Sequence, residues 1–427
     1  MHEHEMGMGR PTRADDACAR FRLATASSVA QDTPEALRDV ARQLGTQTDP
    51  PDFVTLHYGS ERSTEEVWQN ARTLFGARAL HGGSSCRGIM SDRTDPEAGE
   101  AAMGAFAIWD AEGDYGTASE EIASEPRAAA ARATRTALRR AGRAGEAPDL
   151  VWLTSAPGHE EEVLEGIKDV IGSPALIVGG SAADNEVAGT WTQISQDGAS
   201  RDAVVVSVLF PSVPVACSFE SGYAPTGRQG TVTKAEGRIL AEIDGKPAAD
   251  VYAEWTGLAA KPEKGSVSIL SEASMFPLGR VSSVVDGIPF HILAHPAVAH
   301  SDGRIELFSD IREGDEIWLM AGSSDSLVTR AGRIAATSRA QLPGGAVTGA
   351  LVVYCGGCML SVRDRLGEVA RGVSEALDHA PFLGVFSFGE QGEVVCGDSE
   401  HGNLMISCIA FGRPGTPGRN RGERGEE

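Results

Sequence analysis

Two thiols stand three positions apart in the stretch YCGGCMLSVRDRLGE, Tyr354 to Glu368. A C-x-x-C pair can bridge internally or share a metal, and a helix that starts just after it favours the thiolate. A metal needs more ligands, because zinc takes four and copper prefers soft sulfur. Cys396 and His401 extend the pattern to C-x-x-C followed by C-x4-H, so Cys355, Cys358, Cys396 and His401 form a candidate zinc or copper set. Cys86 is a further candidate. The spacing matches no strong zinc signature, and the long chain lacks the short plan of a thioredoxin-like redox domain. The plain alternative is that Cys355 and Cys396 are small buried hydrophobes.

Two glycine segments carry a second kind of chemistry. HGGSSCRG contains Gly82, Gly83, Ser84 and Cys86, and VGGSAADN contains Gly179, Gly180, Ser181, Asp184 and Asn185. Their backbone amides could cradle an anion. They could equally be tight turns that need positive φ. Neither has the ending of a phosphate loop or the dinucleotide fingerprint. His291, His295 and His300 invite a metal reading, and with His57, His81 and His401 they are the candidates for a haem ligand. Glu390 beside a glycine is a lone general acid or base candidate. No nucleophile elbow or HExxH motif accompanies it, so an enzyme is the weaker reading.

Positioning these groups requires repeated elements. PDFVTLHYGSERSTEEVWQNARTLFGARALHGGSSCRG, from Pro51, aligns with PDLVWLTSAPGHEEEVLEGIKDVIGSPALIVGGSAADN, from Pro148. Each copy reads as strand, loop, helix, strand and loop, with acidic residues where the helix begins. A third, diverged unit runs through GALVVY, CGGC, a helix from Met359 to Leu377 and the strand PFLGVFSF. Parallel strands in such units would place their following loops at one sheet edge, where open α/β sheets bind ligands. The predicted class is therefore mixed α/β, with repeated strand-helix-strand units and mixed sheets flanked by helices. β-Hairpins fill the rest, turning at Asp197-Gly198, Asp244-Gly245 and Asp302-Gly303. A break near residues 224–230 predicts domains over 19–225 and 226–411, with disordered tails over 1–18 and 412–427.

Composition narrows the partners. Of 427 residues, 60 are acidic and 38 basic, giving a formal charge of −22. That field disfavours nucleic acid and anionic membrane as partners. No apolar run reaches the roughly 20 residues of a membrane span, and the N-terminus lacks a signal-peptide core. Seven cysteines in such a chain do not make a disulfide framework. A soluble, cytoplasmic protein is expected.

The motifs together resemble the FIST family, with both its N-terminal and C-terminal domains. The resemblance rests on the PD-x-V repeats, GGS-x-x-x-N from Val178 to Asn185, and Asp-Gly-x-Pro-Ala at Asp244 to Ala248 with Tyr252. It continues through the hairpin from Asp302 to Leu319, Cys355, and Gly389, Glu390, His401 and Asn403. It implies a sensory protein that binds a small ligand and signals through a separate partner protein. It also implies amino acids as ligands, with haem in one branch. Family members commonly read Cys-x-x-Arg where this chain reads Cys355-Gly-Gly-Cys358, which removes a guanidinium suited to anchoring a carboxylate. The expected ligand site comprises Gly82, Gly83, Ser84, Cys86, Gly179, Gly180, Ser181, Asp184, Asn185, Cys355, Gly356, Gly357, Cys358, Glu390 and Asn403.

Overall fold

The computed structural model describes residues 21–93, 99, 101–172, 176–258, 262–394 and 397–415. The expected tail 1–18 lies outside them, as does most of 412–427.

Strands with apolar residues on both faces dictate the architecture. In the buried strand Phe53–Gly59, Val54, Leu56 and Tyr58 join one apolar cluster while Phe53 joins another. Leu150 and Trp152 share that second cluster, and Val151 and Leu153 face away from it. Leu351 and Val353 enter it too, with Val352 and Tyr354 on the opposite side. Such double burial demands a layer on each face of each sheet. Three sheets therefore turn their inner faces onto one shared core and carry helices on their outer faces.

Each sheet belongs to one of three repeats with the same element order. The first has an outer strand Phe21–Ser28, a helix Thr33–Leu44, the strand Phe53–Gly59, a helix Thr64–Phe75, the strand Ala79–Ser85, a short strand Ile89–Ser91 and a return strand Met103–Asp110. The second runs Asp114–Glu121, Pro126–Arg140, Leu150–Ser155, Glu160–Ile171, Ile177–Ser181, Gln193–Ser195 and Ala203–Phe210. The third runs Val215–Ser221, Ser324–Gln341, Val347–Cys355, Gly356–Ser361 with Leu366–Ala376, Phe382–Ser387, Glu390–Glu393 and Met405–Gly412. In every repeat the two central strands are parallel and the return strand is antiparallel to its neighbours. The mixed α/β class and repeated units read from the sequence are thus present. The helix expected to begin at Met359 begins at Gly356 and is split by a turn at Arg363–Arg365.

The short strands are exchanged in a closed cycle. Ile89–Ser91 leaves the first repeat to pair with Phe382–Ser387 of the third. Glu390–Glu393 leaves the third to pair with Ile177–Ser181 of the second. Gln193–Ser195 leaves the second to pair with Ala79–Ser85 of the first. Just beyond the strand ends, three backbone bonds complete the ring: Cys86 N to Phe386 O at 3.0 Å, Phe388 N to Ser181 O at 3.2 Å, and Ala183 N to Ser84 O at 3.1 Å. Ser84, Ser181 and Phe386 are equivalent by this ring, and their parallel-strand partners are Tyr58, Ser155 and Tyr354.

Residues 224–321 form an insert in the third repeat, entered and left through the antiparallel pair Ala224 and Ala321. The insert has its own core, including Val232, Leu240, Tyr252, Leu278 and Leu319, beneath a nine-stranded sheet. Its Asp244-Gly245 turn has φ of 50° and 73°, the paired left-handed values of a two-residue hairpin loop. The boundary expected near residue 225 falls in the strand Ala224–Glu236, where the chain passes from repeat to insert.

Candidate functional site

The parallel strands converge on the ring, and most of the residues singled out from the sequence sit there. Ser84, Cys86, Ser181, Asp184, Cys355, Cys358, Glu390 and Asn403 are all buried. Gly82, Gly83, Gly179 and Gly180 are strand residues, not turn or anion-loop residues, and none has positive φ. A Cβ at Gly82 would lie 2.3 Å from the Leu56 carbonyl, and one at Gly179 would lie 2.0 Å from that of Leu153. Close strand approach is what requires these glycines. Asp184 organises the following loop by accepting from the amides of Glu186, Ala188 and Thr190 and from the Thr190 hydroxyl. Asn403 accepts from the His295 amide at 3.2 Å, and its Nδ2 has no partner among the described residues.

Cys355 ends its strand and caps the helix Gly356–Ser361, so C-x-x-C spacing returns Cys358 beside it. Burial, with Cys358 adding to it, pushes the Cys355 thiol up, and the amides of Gly357 and Cys358 act the other way. Glu390 lies next to Cys355, and burial together with that thiol raises its carboxyl well above the ordinary carboxylate range. The Ser387 hydroxyl and the Met405 amide donate to the Glu390 carboxyl, at 2.7 and 3.0 Å. Tyr223, which the sequence reading did not single out, places its hydroxyl 3.7 Å from Cys358 Sγ.

His401 belongs to a different cluster. Among the described residues, Glu160, Glu161 and His401 bring potential ligand atoms within 4.8 Å of one another. Arg238 already supplies positive charge there, donating to Glu160 at 2.6 Å and Glu161 at 2.7 Å. Burial pushes Glu160 up, but His401, Arg238 and the Ser181 hydroxyl outweigh it and hold the carboxyl at about 2. This is an ion-pair network joining repeat and insert. Cys396, the remaining member of the candidate metal set, lies outside the described residues.

Five of the six candidate haem ligands have polar protein partners. His57 bonds Thr55 at 2.9 Å, and His81 spends both ring nitrogens on Ser207 and Thr154 inside the shared core. His295 faces the Leu270 carbonyl at 3.0 Å, and His300 faces Glu306 at 2.8 Å. His291 packs edge-on to Trp318, and His401 lies between Gln391 and the Phe308 carbonyl. The three histidines of the insert do not converge.

Beside the closed ring, the loop after Phe53–Gly59 borders two open clefts. One, of about 940 Å³, lies between residues 60–65 of the first repeat and residues of the second, including Asn185, Thr190, Thr192 and Arg201. The other, of about 710 Å³, places Glu61, Arg62 and Ser63 opposite Arg363 of the third repeat. Asn185 donates to Glu61 at 3.1 Å and accepts from the Arg87 amide at 2.8 Å, tying the cleft wall to the ring. Arg62 is 8% exposed and fastens the loop by donating to the Ala30 and Ala101 carbonyls. The sequence places Glu61 and Arg62 in the loop after the first parallel strand, at the edge where a site is expected, and singles out Asn185 as a ligand residue.

The fold defines an α/β body of three strand-exchanging repeats with a β-rich insert. Residues 52–246 match the FIST N domain and residues 248–393 match the FIST C domain, and the chain belongs to the FIST family. FIST domains are sensory, small-ligand-binding signal-transduction domains. An uncharacterized protein of Methanocaldococcus jannaschii is 36% identical over 97 residues, 22% of this chain and 18% of that protein. This chain thus spans under a fifth of that relative's length. Among solved structures, cyanuric acid hydrolase from A. caulinodans aligns over 92% of this chain and 99% of its own, at 11% identity and a TM-score of 0.36. PurLQS from Thermotoga maritima aligns over 71% and 73%, at 9% identity and a TM-score of 0.21. Among the described residues no helix is long and apolar enough to cross a membrane.

Proposed function

We propose that the protein is a cytoplasmic sensor that binds a small polar ligand in the cleft between the first two repeats and signals through a separate protein partner. The observation that carries this reading is the bridge Arg87–Asn185–Glu61, which links an open cleft of about 940 Å³ to the ring where all three repeats meet. A ligand that engages Glu61 or Asn185 competes with that bridge. Its occupancy then biases the loop 184–192 and, through Ala183 and Ser84, the ring itself. The strand glycines and serines 82–84 and 179–181 act as the frame behind the cleft. Hydroxyl groups of Ser63, Thr64, Thr190, Thr192 and Ser200 line the cleft with charged Glu65 and Arg201. These donors and acceptors suit a small polar molecule.

The test is a thermal-shift panel of small amino acids, hydroxy acids and sugars on the wild type and on Asn185→Ala and Arg201→Ala. A compound that stabilises the wild type should lose most of its shift in both variants. If stabilisation persists undiminished in both, the cleft is not the ligand site.

A further inference from the structure

The ligand reading leaves the buried dithiol unused. We propose that Cys355 and Cys358 are a site of reversible disulfide formation, and that Tyr223 transmits its state to the neck of the inserted domain. Three observations converge. The helix-capping position of Cys355 puts the two sulfurs of a C-x-x-C pair side by side. Glu390, a fully buried carboxyl, lies against Cys355. The Tyr223 hydroxyl lies 3.7 Å from Cys358 Sγ while donating at 2.7 Å to the Ser274 carbonyl of the insert.

Tyr223 immediately precedes the neck pair Ala224 and Ala321. Gly322, on the returning chain, packs so closely that a Cβ there would lie 2.6 Å from the Tyr223 ring. The dithiol thus touches a side chain held by both crossings of the neck and by Ser274 within the insert. Closing a disulfide draws Cys358 Sγ toward Cys355 and withdraws the thiol from the Tyr223 hydroxyl. Cys358 supplies the second sulfur that makes the switch available.

A peroxide is the oxidant class that balances the step. The electron pair of one thiolate attacks a peroxide oxygen, the O–O bond breaks, and water leaves after protonation, giving a sulfenic acid. The second sulfur attacks the first, the S–S bond forms and a second water leaves. Two thiol protons and two electrons pass to one hydrogen peroxide. Glu390, lying against Cys355, is placed to take its proton. Burial keeps the resting Cys355 thiol protonated, so oxidation is slow and selective for small oxidants.

The experiment treats the full chain with hydrogen peroxide, alkylates the remaining thiols, maps the peptide holding Cys355 and Cys358, and follows amide exchange. The expected result is loss of two hydrogens from that peptide, reversed by dithiothreitol, with altered exchange over 224–232 and 316–321. Glu390→Gln should slow the oxidation by about tenfold and flatten its pH dependence. Tyr223→Phe should still form the disulfide but lose the exchange change at the neck. The disulfide site is overturned if both thiols stay fully alkylatable in the folded chain at peroxide levels that oxidise the pair in urea. The transmission is overturned if the disulfide forms and exchange at the neck does not move, or if Tyr223→Phe leaves the change intact.

Discussion

The Arg238 guanidinium lies 2.6 Å from the Glu160 carboxylate and so pins the inserted domain to the first turn of a helix in the second repeat. Arg238 also reaches Glu161, whose other oxygen accepts from the Asp310 amide at 2.8 Å. Glu160 is 3% exposed, so the pair is desolvated and its worth depends on both partners being present.

Removing one partner should therefore cost far more than removing both. Arg238→Met leaves a buried carboxylate uncompensated and should destabilise the protein by about 3–5 kcal/mol. Adding Glu160→Gln should recover much of that loss. Urea denaturation of the two variants checks the order, and a double variant no more stable than the single one would refute it.

Acid should weaken the fold well above the carboxylate range. Burial lowers His57 to about 3 and His295 to about 4, and lowers His81 as well. Each folded value lies below the ordinary 6.5, so the unfolded chain takes up protons first as pH falls. Their contribution is fully present above 6.5 and is lost as pH drops toward the folded values. With three such groups, stability should fall by up to about 4 kcal/mol per pH unit in that window. A urea midpoint that holds constant from pH 7 to pH 5 would contradict this.

Glycines of the two GGS segments should be intolerant for a packing reason. Gly179→Ala drives a Cβ into the Leu153 carbonyl at 2.0 Å, with no flexible side chain to yield, and should cost about 3 kcal/mol or more. Gly189→Ala, at φ 78° with open space around it, should cost only about 1 kcal/mol. Melting temperatures of the pair test this; similar losses in both would refute the packing cost at Gly179.

What could be read from the chain alone follows from range. The PD-x-V-x-L copies were legible because strands buried on both faces show it locally, as at Phe53 and Val54. The exchange of strands was not, since Ile89–Ser91 is three residues long and its partner Leu383 lies far along the chain. Cys355 and Cys358 were visible as a pair, whereas their contact with Tyr223 spans 135 positions. Glu160 read as one acid in a helix start, because the arginine that gives it meaning belongs to the insert.

The cyclic exchange makes a prediction about which pieces can stand alone. A chain ending at residue 210 keeps both early repeats but loses Glu390–Glu393, leaving Ile177–Ser181 without its outer neighbour. It also strands Ile89–Ser91 without Phe382–Ser387 and opens the shared core that Leu351, Leu383 and Phe411 help to fill. Such a fragment should lack a cooperative melt and aggregate through its open edges. Deleting the insert has the opposite consequence. Ala224 and Ala321 are antiparallel neighbours, so a short turn can rejoin Tyr223 to Gly322 without moving either flank. Because the insert packs most of its own core, the deleted protein should keep a cooperative transition, lowered by the loss of Arg238 opposite Glu160 and of Ile292, Leu293 and Met320 from the core of the third repeat. Circular dichroism melts of the two proteins decide the matter: a cooperative 1–210 fragment would show that the ring is dispensable, and an unfolded deletion protein would show that the insert is not.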